Sequence, residues 1–134
     1  MRRLKFLIVA VALTVAACDD NTPITPVAPT DPVTDTFSET LNPNGGVTYS
    51  FANSRSGSVT VTLTSLAPES TAIVGLSLGT WNGAACAVGI SNDQATQGTV
   101  IVGAITTSGN LCARVYDVGR LTANVSFTIT VVHP

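Results

Sequence analysis

At 134 residues the chain has room for one domain of ordinary size and not for two. Charged residues make up only 10%, against about 25% in a usual globular chain, while Thr, Ser, Val, Gly and Ala abound, which favours half-buried strands over solvated amphipathic helices. The net charge of −2 conceals an asymmetry: after residue 17 only Arg55, Arg114 and Arg120 stand against eight acids, and without a basic patch nucleic-acid binding is excluded.

The first element is a targeting segment. Met1-Arg2-Arg3-Leu4-Lys5 is a positive n-region, and Phe6 to Ala17 is an apolar run of about a dozen residues, the pattern of a signal peptide and too short for the ~20 residues that span a bilayer. It ends Val15-Ala16-Ala17-Cys18, which resembles a bacterial lipobox. That resemblance implies removal of residues 1–17, lipid on Cys18 and an exported protein anchored at the periplasmic face or the cell surface. Cleavage nearby, leaving a plain cysteine, is the alternative. Several acyl chains would hold firmly, at ~0.8 kcal/mol per buried CH₂. Asp19 resembles an inner-membrane retention signal, and the leaflet stays open.

Residues 18–36 form the lipidated cysteine and a tether. Pro23, Pro26, Pro29 and Pro32 recur every third residue, which places their rings along one edge of a polyproline II rod. The 17 residues from Asp19 to Asp35 reach at most about 50 Å. Asp19, Asp20, Asp31 and Asp35 have no base beside them, so the tether reads as an extended spacer that keeps off an anionic membrane surface. It lacks the aromatic and basic flanks of a docking motif.

Residues 37–134 read as an antiparallel, jelly-roll-like β-sandwich of about eight strands. The strands are expected near Thr36–Leu41, Val47–Ala52, Ser58–Leu66, Ala72–Trp81, Ala85–Ser91, Thr99–Ile105, Leu111–Val118 and Val125–Val132. Alternation is clearest where Val59, Val61 and Leu63 interleave with Thr60, Thr62 and Thr64, and it recurs at Val47, Tyr49, Phe51 and at Phe127, Ile129, Val131. Turn residues separate the runs, among them Asn42-Pro43-Asn44-Gly45-Gly46 and Ser108-Gly109-Asn110. Asn82-Gly83 after Trp81 predicts a type I′ hairpin.

Val47-Thr48-Tyr49-Ser50-Phe51, Ser56 to Leu63, Gly109 to Tyr116 and Phe127 to Val131 resemble the bacterial pre-peptidase C-terminal domain. The resemblance implies a jelly-roll-like sandwich appended to secreted or surface proteins and without catalysis of its own. One strand departs from that family: acids are often found where this chain has Ile73-Val74-Gly75-Leu76-Ser77-Leu78, which puts a metal-linked role there in doubt.

Assigning Cys18 to lipid leaves Cys86 and Cys112 as a pair in an oxidising compartment, read as a disulfide whose loop contributes ~3.5 kcal/mol in the chain-entropy model. Cys112 alternates with Leu111, Ala113 and Val115, so the bridge should lie outside the apolar core with Arg114 and Tyr116, tying adjacent strands or a loop to a strand. A thiol or metal site lacks the supporting ligands, and no cofactor or metal is expected.

His133 is the sole histidine, with no nucleophile placed beside it. Asp93 and Asp117 could pair as carboxylates or bind calcium with Asn92, but read better as turn residues capping their own backbone. For sugar contact the candidate aromatics are Trp81 and Tyr116, but Trp81 reads better as a core or edge anchor of the sandwich. The resulting expectation is a monomeric, lipid-anchored, non-catalytic interaction module of the cell envelope. A carbohydrate- or envelope-polymer-binding module is the alternative, and its partners would be an envelope protein or glycan.

Overall fold

The computed structural model describes residues 23–27 and 30–134. The signal peptide and Cys18 lie outside the described residues, as does part of the tether. Eight strands are formed: β1 Val33–Leu41, β2 Gly46–Asn53, β3 Gly57–Ala67, β4 Val74–Trp81, β5 Cys86–Ala95, β6 Val100–Ile105, β7 Gly109–Tyr116 and β8 Val125–His133. There is no helix among the described residues.

The strands make two four-stranded antiparallel sheets, ordered β1-β8-β3-β6 and β2-β7-β4-β5. Strand 1 pairs with 8, 2 with 7, 3 with 6 and 4 with 5, so the chain doubles back as one long hairpin rolled into two layers, the jelly-roll arrangement. The expected fold class is therefore the observed one.

Period-2 alternation accounts for the layering. Val59, Val61 and Leu63 of β3 and Phe127, Ile129 and Val131 of β8 are buried against Leu76 and Leu78 of β4 and Leu111, Ala113 and Val115 of β7. Phe37 of β1 stacks on Tyr49 of β2 with ring centroids 4.4 Å apart, and Tyr49 meets Phe127 edge-on at 6.3 Å, closing the sandwich at that end. The opposite phase of β1, β8 and β3 presents Thr36, Thr130 and Thr62 side by side on the outside of the first sheet.

Several boundaries differ from the sequence reading, each for a tertiary reason. β1 starts at Val33 rather than Thr36 because Thr34 and Asp35 find ladder partners in Val132 and Val131, and Pro32, lacking an N–H, stops it there. β5 runs on to Ala95 instead of Ser91 because β4 supplies partners for Asn92 and Ala95. β4 starts at Val74, two residues late, after a turn closed by the Ala72 N–H donating to the Glu69 carbonyl. The Asn82-Gly83 turn is not type I′: only Gly83 has positive φ, and Asn82 Oδ1 accepts from the N–H groups of Ala84 and Ala85 across a four-residue loop.

Candidate functional site

The outer face of the β2-β7-β4-β5 sheet is built largely from small residues, and on it lie the side chains singled out from sequence. Ladder register sets Thr48, Arg114, Ser77 and Ser91 in one row across the four strands. Beside that row, Gly46 and Gly75 flank Tyr116. The glycines leave room for the Tyr116 ring and the Arg114 guanidinium. A Cβ on Gly75 would lie 2.2 Å from the Tyr116 ring, and one on Gly46 would lie 2.5 Å from the Arg114 guanidinium, so both side chains lie flat where a larger neighbour would lift them.

The Arg114 guanidinium sits 5.1 Å from the Tyr116 ring centroid, a cation–π contact. The Tyr116 hydroxyl donates to Asp93 on β5. Burial, together with the Asp93 carboxylate as acceptor and as neighbouring charge, pushes the phenol pKa up, against a smaller opposing effect of Ser91 and Arg114. Ser77, 1% exposed, keeps a buried hydroxyl with no hydrogen-bond partner among the described residues. Asp93 thus departs from the expected turn cap: it sits within β5 and is held by a tyrosine 23 residues downstream.

Cys86 and Cys112 form the disulfide, with Cα atoms 5.8 Å apart. The bridge lies on the outer face, as alternation implied, but the strands it joins are not neighbours: β4 lies between β5 and β7. The link is possible because the start of β5 folds over β4. A Cβ on Gly79 would meet the Ala87 carbonyl oxygen at 2.1 Å and Val88 Cα at 2.9 Å, and Gly89 is skipped in the ladder as a bulge. This cover leaves Cys112 wholly buried. The alternating Gly75-Leu76-Ser77-Leu78-Gly79 was the sequence signal for both close approaches, since glycine inside a strand marks a place where something must come near.

Trp81, next on the same phase of β4, is half-buried and outside the apolar core. It lines a concavity of about 460 Å³ with Ser50 and Ala52 of β2, Asn110 of β7 and Asn82 and Gly83 of the β4–β5 loop. The sheet thus places Trp81 and Tyr116 on one face but in separate environments, Trp81 in the concavity and Tyr116 over Gly75.

The remaining titratable candidates are engaged elsewhere. Asp117 Oδ1 accepts from the N–H groups of Gly119, Arg120 and Leu121, and Oδ2 accepts from Asn44 N–H, so it caps its own turn and ties the β1–β2 loop to the end of β7. Burial raises its pKa, but the donors at Asn44, Arg120, Leu121 and Gly119 outweigh that and hold the carboxyl below its ordinary value. His133 is buried at the end of β8, its Nε2 3.2 Å from Asp35 Oδ2 and its ring against Phe51. Among the described residues no three His, Cys, Asp or Glu side chains are grouped to hold a metal.

No protein-family model and no curated protein sequence matches the chain. Two similar solved structures share the fold. The crystal structure of the Yersinia pseudotuberculosis-derived mitogen has a TM-score of 0.57 at 19% identity, covering 77% of this chain and 87% of that one. The crystal structure of PliG from Aeromonas hydrophila, a periplasmic lysozyme inhibitor of g-type lysozyme, has a TM-score of 0.52 at 18% identity, covering 75% and 86%.

Proposed function

We propose that this chain is a lipid-anchored protein of the bacterial cell envelope whose sandwich is a non-catalytic, monomeric interaction module, with the outer face of the β2-β7-β4-β5 sheet as its contact surface. One observation carries the reading: glycines at 46, 75 and 79 hold Arg114, Tyr116 and the β5 fold-over flat against that face, a pre-organised surface of the residue types that dominate binding energy. The tether enters through β1, an edge strand of the other sheet, which leaves this face unobstructed by its own attachment. The two similar structures are described as a mitogen and an inhibitor of another protein, and neither is described as an enzyme, in accord with a module that acts by contact. The resemblance to the pre-peptidase C-terminal domain points the same way.

Two measurements test it. Growth with an alkyne-tagged fatty acid should label the wild-type protein and not Cys18→Ser, and the variant should move from the detergent phase to the aqueous phase. An unchanged partition would refute the anchor. Capture from solubilised envelope with the lipidated protein should recover a partner that Arg114→Ala with Tyr116→Ala loses; equal recovery by that variant would remove this face from the proposal. The second reading, binding of an envelope polymer, is favoured by one specific observation, the concavity around Trp81.

A further inference from the structure

We infer that the Trp81 concavity is a binding site for a neutral pyranose unit within an oligosaccharide chain; the inference rests on the interaction-module reading and names the ligand of one part of its face. A pyranose offers an apolar C–H face and, around its rim, adjacent hydroxyls that both donate and accept. The concavity supplies the complement of each. Trp81 gives a flat apolar surface with one N–H donor at its edge. Asn110 and Asn82 contribute carboxamides and Ser50 a hydroxyl, groups that can donate to one sugar oxygen while accepting from the next.

The polar groups are available for this. Asn82 spends its Oδ1 on the loop N–H groups of Ala84 and Ala85, and its Nδ2 makes no hydrogen bond among the described residues. The Asn110 side chain and the Trp81 indole N–H likewise have no protein partner among the described residues, and Asn110 is exposed. The lining includes no charged side chain, which selects against acidic sugars, phosphates and basic peptides alike. About 460 Å³ lies within the range of small-ligand sites and suits a single ring with room at its rim.

The site is also held in place before any ligand arrives. Trp81 pairs with Cys86 in the ladder, and Cys86 is bonded to Cys112, whose ladder partner is Ser50. Both walls are therefore fixed to the same covalent link, which limits the ordering cost of binding.

Trp81 is the sole tryptophan of the chain, so its emission reports on this site without any label. The full-length protein in detergent micelles would be titrated with chitotetraose and, separately, cellotetraose, followed by Trp emission and by calorimetry. The expected result is a saturable emission change with at least one of them. In calorimetry, Trp81→Ala and Asn110→Ala should each weaken binding by about tenfold or more with the melting temperature preserved. Should Trp81→Ala fail to fold, Trp81→Phe and the exposed Asn110→Ala carry the same comparison. No saturable change with either probe, or full affinity in a folded Asn110→Ala and Trp81→Phe pair, would overturn the assignment. The envelope capture separates the two levels: a protein partner lost with Arg114 and Tyr116 beside a flat sugar titration overturns the sugar site alone, and failure of both overturns the module as well.

Discussion

At the scale of single residues, much of the outer face depends on what is missing. Gly79 has no Cβ, and the Ala87 carbonyl oxygen occupies the space where one would be. Gly79→Ala must therefore push backbone against backbone, and urea melts should show a loss of about 1–3 kcal/mol. Gly89→Ala is the control, because its Cβ would make only an ordinary 3.7 Å contact with the Leu78 carbonyl oxygen; equal effects of the two would mean that the fold-over of β5 is not close-packed. Asp117 illustrates a polar residue committed to architecture. Its folded pKa lies below the ordinary 3.8, so its contribution is fully present above that value and is lost as pH falls through the folded pKa. Asp117→Asn keeps the Oδ1 acceptor but loses the charge and the Oδ2 acceptor of the Asn44 N–H, so it should melt at a lower temperature at neutral pH, by about 1 kcal/mol, and the gap to wild type should narrow below pH 3.8. A gap independent of pH would contradict the assignment.

Among the elements, β4 and β5 depart furthest from a regular hairpin. β4 is buried on both phases from Val74 to Gly79, covered on the inside by the core and on the outside by β5 and Tyr116. Sequence alternation made its strand character legible, and the pairing of Cys86 with Cys112 was expected once the lipobox resemblance had set Cys18 aside. That the bridge would cross β4 was not legible, because alternation assigns a residue to a face and says nothing about which strands are neighbours. The closed loop of 26 residues predicts that Cys86→Ala with Cys112→Ala loses about 3.5 kcal/mol in chemical denaturation. A loss much below 1 kcal/mol would show that the fold-over is held by packing rather than by the bond.

For the whole molecule, the jelly-roll order makes nearly every pairing long-range: Val33 pairs with His133 and Gly46 with Tyr116. Loop closure must precede the reward from such contacts, so refolding from urea with the disulfide intact should fall in the millisecond-to-second range, readable by stopped-flow Trp81 emission. Microsecond folding would refute a transition state built on these pairings. The same topology explains why the candidate face escaped a linear reading. Arg114 and Tyr116 were placed on one face correctly by period 2, but Asp93, read as a turn cap, is brought to Tyr116 only because β5 and β7 both flank β4. Trp81 reads from sequence as a core or edge anchor, whereas it lies outside the apolar core beside Ser50 and Asn110, which come from strands distant in sequence.

By itself the sequence determined that the chain is all-β, that about eight runs of strand lie between turn signals, and which residues share a face. These are properties of local periodicity and counting, which a single strand already contains. Only the tertiary structure decided which strands lie side by side, where β1 begins and β5 ends, which cysteine-bearing strands the bridge joins across β4, and which side chains from distant strands lie beside Trp81. Each of those depends on contacts between residues dozens of positions apart, and such contacts leave no periodic trace in the segments that make them.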